Sequence, residues 1–293
     1  MEDYLIRAIT TNKELRALAI KSTDVVAEAQ KRHQTTPVAT AALGRVLSGA
    51  LLTGSLVKSG DEILLKIEGD GPAGKIIAEA NQNGEVRGYI ENPNLDFYTT
   101  QNGKLDVARA VGNGELSLTK FMSMKDPYKG SVPLVSGEIG EDLTYYFTAS
   151  EQIPSAVGLG VLVDKDLTVK AAGGFLIQLL PDASEETIQL LENNLAKVKS
   201  VSALVEQGMT PEEILEEILG DMDYRVMARK DVQFKCKCSR DRSSELIAGL
   251  GKEEIEETLE QEGKLEVRCH FCNQKYTFER DEVDDILEKI DND

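Results

Sequence analysis

The spacing of apolar residues along the chain changes at about Gly60. Before it the pattern is helical: Thr23 and Asp24 can cap a helix that runs to about Gln34, and Pro37 can open a second helix rich in small residues. After it, apolar residues fall in short runs divided by turn residues, which is typical of strands. These runs cover residues 62–68, 75–81, 85–91, 114–121, 144–148 and 167–175.

The pair Asn83-Gly84 lies between the second and third of these runs and is a strong signal for a two-residue hairpin. Helices and largely antiparallel strands are therefore grouped along the chain rather than alternating, which predicts an α+β fold. We place this core domain at residues 1–178.

Residues 179–230 predict a helical linker. Asp182-Ala-Ser-Glu185 resembles a capping box, and Thr210-Pro211-Glu212-Glu213 combines a cap, a proline and acidic residues at a helix start. Apolar residues then recur at helical spacing beneath very acidic outer faces. The two apolar stripes are Ile188, Leu191, Leu195 and Val198, and Ile214, Leu215, Ile218 and Leu219. The pattern alone predicts that they pack on the preceding domain.

Charge and hydropathy limit the partners of the chain. It has 293 residues with 33 Lys and Arg against 51 Asp and Glu, a net charge of -18, which opposes binding to nucleic acid. Two acidic residues follow Met1, and the basic start and apolar run of a secretory signal are missing, so we expect a cytoplasmic protein. The apolar stretch at 38–57 contains Arg45 and many small residues, which predicts a packed core helix and no membrane span.

Nucleotide binding and catalysis are not favoured by the sequence. The stretch Gly69-Asp-Gly-Pro-Ala-Gly74 followed by Lys75 resembles a phosphate-binding loop, but Ile76 stands where such a loop needs Ser or Thr, and a hairpin follows instead of a helix. The chain has two histidines and no G-x-S-x-G motif. We therefore predict no nucleotide ligand and no enzyme.

All four cysteines lie near the C-terminus, as Cys236-Lys-Cys238, thirty further residues, and Cys269-His-Phe-Cys272. Zn²⁺ prefers four tetrahedral ligands, and each short pair supplies two of them from one turn. Flanking patterns predict helices at 244–250 and 252–260 and strands at 265–268 and 274–278. A region with so few large apolar side chains needs a bound metal or a covalent cross-link to fold. The sequence therefore predicts a zinc-binding domain at residues 231–293, with one Zn²⁺ held by Cys236, Cys238, Cys269 and Cys272.

These cysteines are interpreted either as a purely structural zinc site or as a redox-active one. The C-x-C spacing is less usual for a structural site, and five basic residues flank the pairs: Lys235, Lys237, Arg240, Arg268 and Lys275. Because cations favour the thiolate, they favour its reaction with oxidants. In a cytosolic protein, metal binding with redox chemistry is more natural than a stable disulfide framework. His270 is expected to be exposed or to lie beside a ligand.

Short motifs along the whole chain accompany the cysteines. They are Gly69-Asp-Gly-Pro72, Gly114-Glu-Leu-Ser-Leu-Thr119, Pro127-Tyr-Lys-Gly130, Val135-Ser-Gly-Glu-Ile139, Glu141-Asp-Leu-Thr-Tyr-Tyr146, Ser150-Glu-Gln152, Pro154-Ser-Ala-Val-Gly-Leu-Gly160 and Ala172-Gly-Gly-Phe-Leu-Ile-Gln178. With these motifs and its C-x-C and C-x-x-C pairs, the chain resembles the 33-kDa heat-shock proteins, redox-regulated holdase chaperones of the bacterial cytosol.

The resemblance implies a function and a switch. Reduced members hold zinc with four thiolates and are inactive. In oxidised members each short pair closes on itself, which maps here to Cys236 with Cys238 and Cys269 with Cys272. Active members dimerise and bind unfolding client proteins without ATP. We expect loss of zinc to unfold the C-terminal region and to expose the two linker stripes to clients.

Two other functions remain as alternatives. A zinc ribbon for nucleic acid or for transcription assembly fits the cysteine spacing, but the zinc region carries more acidic than basic residues. A thioredoxin-like redox enzyme would use Cys269 and Cys272 at the start of a helix in a βαβ unit, which the pattern does not predict.

Overall fold

The computed structural model describes residues 2–123, 125–198 and 200–292. The chain forms two compact units, residues 1–235 and residues 236–293. The second unit begins at the first cysteine and contains all four. Our three-part division at residues 178 and 230 remains a prediction.

The first unit is a mixed structure with two sheets. Its elements are β1 (Tyr4–Thr10), β2 (Leu15–Lys21), α1 (Thr23–His33), α2 (Pro37–Gly54), β3 (Glu62–Gly69), β4 (Lys75–Asn81), β5 (Glu85–Ile90), α3 (Val107–Val111), β6 (Gly114–Met122), β7 (Lys125–Pro133), α4 (Gly140–Ala149), β8 (Ser155–Val163), β9 (Val169–Leu179), α5 (Glu185–Leu195), α6 (Val201–Glu206), α7 (Pro211–Leu219), β10 (Tyr224–Asp231) and β11 (Gln233–Phe234). The five-stranded sheet has the order β10-β1-β2-β9-β8, and the six-stranded sheet has the order β11-β5-β4-β3-β6-β7. Except for the parallel pair of β11 and β5, the neighbouring strands are antiparallel, which confirms the α+β prediction.

Helix α2 forms the centre of the first hydrophobic core, where it contacts strands of both sheets. Its small residues allow this close packing, since a Cβ atom at Gly44 would lie 2.6 Å from a methyl group of Val26. The stretch at 38–57 is thus a core helix, as its composition predicts. Among the described residues, no helix is long and apolar enough to cross a membrane.

Helices α5, α6 and α7 cover the opposite face of the five-stranded sheet, where they build a second hydrophobic cluster. The helix start at Thr210 is capped as predicted, but the capping box predicted at Asp182 is not formed, because α5 begins at Glu185 with Ser184 as its N-cap. Ser184 accepts a hydrogen bond from the Thr187 N–H, and Thr210 and Glu213 form a reciprocal capping box. The sheet is therefore buried on both faces, by α2 on one side and by the linker helices on the other.

Two segments differ from their predicted structure. Residues 144–148 lie in α4, whose start is fixed by the buried carboxylate of Asp142, which accepts backbone N–H groups of residues 135, 136, 137 and 139. The end of the predicted helical linker is strand β10, which pairs along β1 and extends the sheet. In α4 a buried side chain fixes the helix start, and in β10 pairing with a strand distant in sequence overrides the local pattern.

The glycine loop at residues 69–74 has a structural role. Asp70 accepts a hydrogen bond from the Asn113 N–H at 2.7 Å, and the Gly71 N–H donates to the Val111 carbonyl at 2.9 Å. A Cβ atom at Gly71 would lie 2.4 Å from the Ala110 carbonyl oxygen. The loop leads into β4 at Lys75 and therefore does not present a helix N-terminus to a phosphate.

The second unit contains α8 (Arg240–Ala248), α9 (Lys252–Glu262), β12 (Lys264–Arg268), β13 (Lys275–Glu279) and α10 (Arg280–Asn292). Strands β12 and β13 lie where strands were predicted and pair as an antiparallel hairpin. Helix α9 covers its predicted segment, whereas α8 starts four residues before the predicted 244 and ends at Ala248. In the part of this unit whose side chains are described, eight buried apolar residues form the core: Ile247, Ile255, Leu259, Leu265, Phe278, Val283, Ile286 and Leu287. Helix α10, which supplies three of them, lies outside the predictions.

Candidate metal centre

The four cysteine sulfurs converge on one point, all within 4.8 Å of one another. Cys236 and Cys238 precede α8, and Cys269 and Cys272 lie in the turn between β12 and β13. The sulfurs of Cys236 and Cys269 are 3.6 Å apart, and those of Cys238 and Cys272 are 3.3 Å apart. The structure thus brings together all four predicted ligands.

Local hydrogen bonds shape both halves of this cluster. In the turn, the Cys269 N–H donates to the Gln274 carbonyl, and the Asn273 N–H donates to the Cys269 carbonyl. Asn273 has a φ of 59°, a left-handed conformation that asparagine tolerates. On the other side, Ser239 caps α8 by accepting the Arg242 N–H. The backbone therefore fixes the direction of each cysteine pair.

The geometry and the donor set fit a tetrahedral zinc ion. A Zn–S bond of about 2.3 Å places tetrahedral sulfurs about 3.8 Å apart, close to the two measured separations. No disulfide bond joins any two of these four cysteines, so the separations are those between thiol sulfurs. Cys272 is buried, and no histidine or carboxylate belongs to the cluster among the residues that the structure describes. Four thiolates would hold Zn²⁺ here, and His270 is exposed.

The sulfurs themselves oppose ionisation. Burial raises the pKa of the Cys272 thiol, and the neighbouring sulfurs of Cys236 and Cys238 raise it further. The pKa of Cys269 is raised for the same reasons, burial first and Cys236 next. A divalent cation at the centre would reverse this balance, because a coordinated thiol is deprotonated.

Three of the cations that flank the cysteines have acidic partners. Lys235 pairs with Glu85, Arg240 binds Glu282 through a charge-assisted hydrogen bond, and Lys275 pairs with Glu266 at 2.5 Å. These three cations are paired with carboxylates, and their effect on the thiolates remains a prediction. Arg240 also stacks over Phe278, so its role is to tie α8 to β13 and α10.

Tyr276 is a site residue that the sequence analysis missed. Its hydroxyl donates a hydrogen bond to the Cys238 sulfur at 3.3 Å. This bond, followed by burial, raises the pKa of Tyr276 to about 12, so the hydroxyl stays a donor at neutral pH. The sequence offers one signal for this role, since Tyr276 lies only four residues after Cys272, in the predicted strand that follows the cysteine pair.

The linker stripes are covered in this structure. Five of the eight candidates are buried in the second hydrophobic cluster: Leu191, Ile214, Leu215, Ile218 and Leu219. Leu195 and Val198 are half-buried against the same cluster, and Ile188 is half-buried beside it. The reduced form therefore offers little of these stripes to another protein.

Comparison with known proteins places this architecture in a family. A family model described as Hsp33 protein matches residues 3–279. A 33 kDa chaperonin of Bacillus velezensis is 49% identical over 288 residues, which cover 98% of this chain and 99% of that protein. The chain belongs to the Hsp33 family.

Other comparisons agree. A 33 kDa chaperonin of Geobacillus sp. (strain WCH70) is 48% identical over 98% of this chain and 97% of its own length. The crystal structure of the 33 kDa chaperonin of Thermotoga maritima, a heat shock protein 33 homologue, superposes with a TM-score of 0.93 at 37% identity and covers 100% of both chains. The resemblance inferred from the sequence motifs is confirmed. The Hsp33 family is a family of chaperones and not of enzymes.

Proposed function

We propose that this protein is a redox-regulated, ATP-independent holdase, inactive when reduced and zinc-bound and active when oxidised. The convergence of four thiols in a small separate unit carries the proposal. Its clients are unfolding proteins in the cytoplasm, and the active form is a homodimer. Neither nucleotide nor nucleic acid nor membrane takes part.

The reduced centre is the inactive state. Cys236, Cys238, Cys269 and Cys272 would hold the zinc ion, whose divalent charge would stabilise the four crowded thiolates and connect the segment before α8 to the turn between β12 and β13. Among the side chains that the structure describes, the core of that unit has only eight buried apolar ones. In such small modules the free energy of zinc binding, about 10 to 16 kcal/mol in zinc-finger peptides, supplies most of the free energy of folding. The unit is therefore expected to depend on the metal to stay folded.

Oxidation converts the ligands into two disulfides. A thiolate attacks peroxide, the O–O bond breaks, hydroxide departs, and a sulfenic acid forms. A second thiol of the pair then attacks that sulfur, an S–S bond forms, and water leaves, so each pair loses two electrons to one peroxide. Since disulfide sulfurs are poor zinc ligands, the metal is released.

We propose that the disulfides join Cys236 with Cys238 and Cys269 with Cys272. The distances in the reduced centre do not select this pairing, since the contacts of 3.6 Å and 3.3 Å cross between the pairs. The selection acts after the unit opens. Closing a loop of about 33 residues costs roughly 2 kcal/mol more in entropy than closing one of about 3, so local pairs form faster.

Unfolding of the second unit then reaches the linker through the chain itself. Cys236 follows β11 by two residues, and β10 precedes β11 by one residue. Once the second unit is disordered, β11 and then β10 lose the anchor at their C-terminal end. The linker helices lie between β9 and β10, so their stripes become available to clients while their acidic faces keep the complex dissolved.

Suppression of thermal aggregation tests the proposal. The reduced zinc form and a form treated with peroxide and mild heat are added to the same unfolding client, and light scattering is recorded. We expect suppression by the oxidised form alone. Equal suppression by both forms would remove the switch, and suppression that requires ATP would contradict a holdase.

The two alternatives predict other results. A zinc ribbon would bind DNA tightly and in a salt-sensitive way, and a thioredoxin-like enzyme would turn over disulfide substrates. The net charge of -18 opposes the first. Cys269 and Cys272 lie in a β-hairpin turn rather than at a helix start, which opposes the second.

A further inference from the structure

The first unit contains a cavity of about 330 Å³ that is partly open to solvent. Three arginines line it, Arg7, Arg16 and Arg225, together with apolar side chains that include Ile9, Leu56 and Met227. No acidic residue belongs to its lining. The cavity therefore combines three positive charges with an apolar interior in a protein whose net charge is -18.

Strand register explains why the arginines meet. Ile9 on β1 is paired with Arg225 on one neighbouring strand, β10, and with Arg16 on the other, β2. Residues aligned in this way share one face of a sheet, so both arginines flank the Ile9 side chain. Arg7 lies two residues earlier on β1 and faces the same side. This is the α2 face of the sheet, opposite the linker helices.

The charge of these arginines is not neutralised by the fold. Arg7 donates to the Ser55 carbonyl at 3.4 Å, and Arg16 donates to the Gln178 side-chain oxygen at 3.3 Å. Both acceptors are uncharged. Within the described part of the chain, no carboxylate forms an ion pair with Arg7, Arg16 or Arg225. Each guanidinium has five N–H donors in a fork that matches a carboxylate, so most donors are left for a ligand.

The cavity also depends on β10. Arg225 and Met227 belong to this strand, and Met227 lies at the β-bulge where the register with β1 shifts. Met227 is 52% exposed, so its apolar surface is open for contact. If β10 separates from β1, the cavity loses one arginine and one wall. A ligand in the cavity thus binds the paired state of β10 more tightly than the released state.

We propose that this cavity binds a small carboxylate with an apolar body, such as a medium-chain fatty acid, and that binding holds β10 on β1. The arginines take the carboxylate, and Ile9, Leu56 and Met227 contact the apolar body. The volume lies at the lower end of ligand pockets, about 300 to 1,000 Å³, which favours a small molecule. Because β10 lies in the segment proposed to be released on oxidation, such a ligand restrains activation, and this consequence rests on the proposed function.

Calorimetry on the reduced, zinc-loaded protein tests the site without any chaperone assay. Decanoate, below its micelle concentration, is compared with decanol, decylamine and inorganic phosphate. We expect decanoate to bind at least about tenfold more tightly than each of the others, since it alone satisfies both the arginines and the apolar wall. Decanol binding as tightly would eliminate the anion site, and phosphate binding as tightly would eliminate the apolar contribution.

Arg225→Gln and Arg16→Gln are each expected to weaken decanoate binding about tenfold. Arg229→Gln is the matched control, because Arg229 lies on the same strand but stacks over Tyr4 on the opposite face. Equal weakening in all three variants would show non-specific charge attraction and overturn the proposal. Arg16→Gln tests the site independently if Arg225→Gln folds poorly.

Hydrogen exchange tests the coupling to β10. Saturating decanoate is expected to slow exchange of the amides of residues 224–231 at least threefold in the reduced wild-type protein and to have no effect in Arg225→Gln. Binding without slower exchange would overturn the coupling. Neither measurement involves oxidation or clients, so failure of the proposed chaperone switch would leave both results readable.

Discussion

Ile218 in α7 provides a direct test of whether docking of the linker keeps the protein inactive. Its side chain is completely buried in the cluster between α7 and the five-stranded sheet. Ile218→Ala removes three carbons and leaves a cavity, a change that costs about 2 to 5 kcal/mol at buried sites. If about 2 kcal/mol, the lower value, is lost entirely from the free energy of docking the linker on the sheet, the population of molecules with an undocked linker rises about 30-fold. We therefore expect the reduced variant to suppress aggregation measurably, whereas the reduced wild type does not.

The assay compares light scattering of a heat-unfolded client with hydrogen exchange of the same reduced samples. Leu190→Ala is the control, because Leu190 is 46% exposed and lies on the neighbouring linker helix α5. Its truncation should change stability by less than about 0.5 kcal/mol. If α7 amides in Ile218→Ala exchange at least tenfold faster and the protein remains inactive, exposure of the linker is not what binds clients.

Three further outcomes are expected. X-ray absorption of the reduced protein should show one zinc per chain with four sulfur ligands, and fewer than three sulfurs would refute the site. Replacing any cysteine by Ser should lower the metal content and speed hydrogen exchange in residues 236–293. Tyr276→Phe removes the hydrogen bond to Cys238 and should speed peroxide-driven zinc release severalfold in a chromogenic chelator assay, with unchanged release arguing against a role for that bond. Asp142→Asn should lower the free energy of unfolding in urea by about 2 to 4 kcal/mol, while the exposed neighbour Glu141→Gln should not.

Elements whose pattern is local were predictable from the sequence. A hairpin at Asn83-Gly84 joins β4 and β5 as predicted, with Gly84 at a φ of 81°, but its loop has three residues, 82–84, instead of the predicted two. The capping box at Thr210 and the small residues of α2 likewise report on their immediate surroundings. The metal centre was predictable for the same reason, because each cysteine pair is a local motif that zinc geometry constrains.

Features that depend on a buried polar side chain or on distant parts of the chain were not predictable. The run at 144–148 has the aromatic content of a strand, but Asp142 gathers four backbone N–H groups and starts a helix there. Strand β10 carries no signal for its partner β1, more than two hundred residues earlier. The ion pairs of the cations that flank the cysteines were not predictable either, because carboxylate partners such as Glu282 are remote in sequence.

The unequal attachment of β11 and β10 gives the proposed switch an order of events. Strand β11 is two residues long and is held at β5 by the Gln233 and Lys235 N–H groups and by the ion pair of Lys235 with Glu85. Strand β10 pairs with β1 along its whole length, interrupted by one bulge. In the proposed switch, we therefore expect loss of the metal to release β11 first, because few hydrogen bonds hold it. Release of β10 and the linker helices requires the further disruption of a buried cluster, so oxidation at low temperature should disorder the second unit without full client binding, and mild heating should complete the activation.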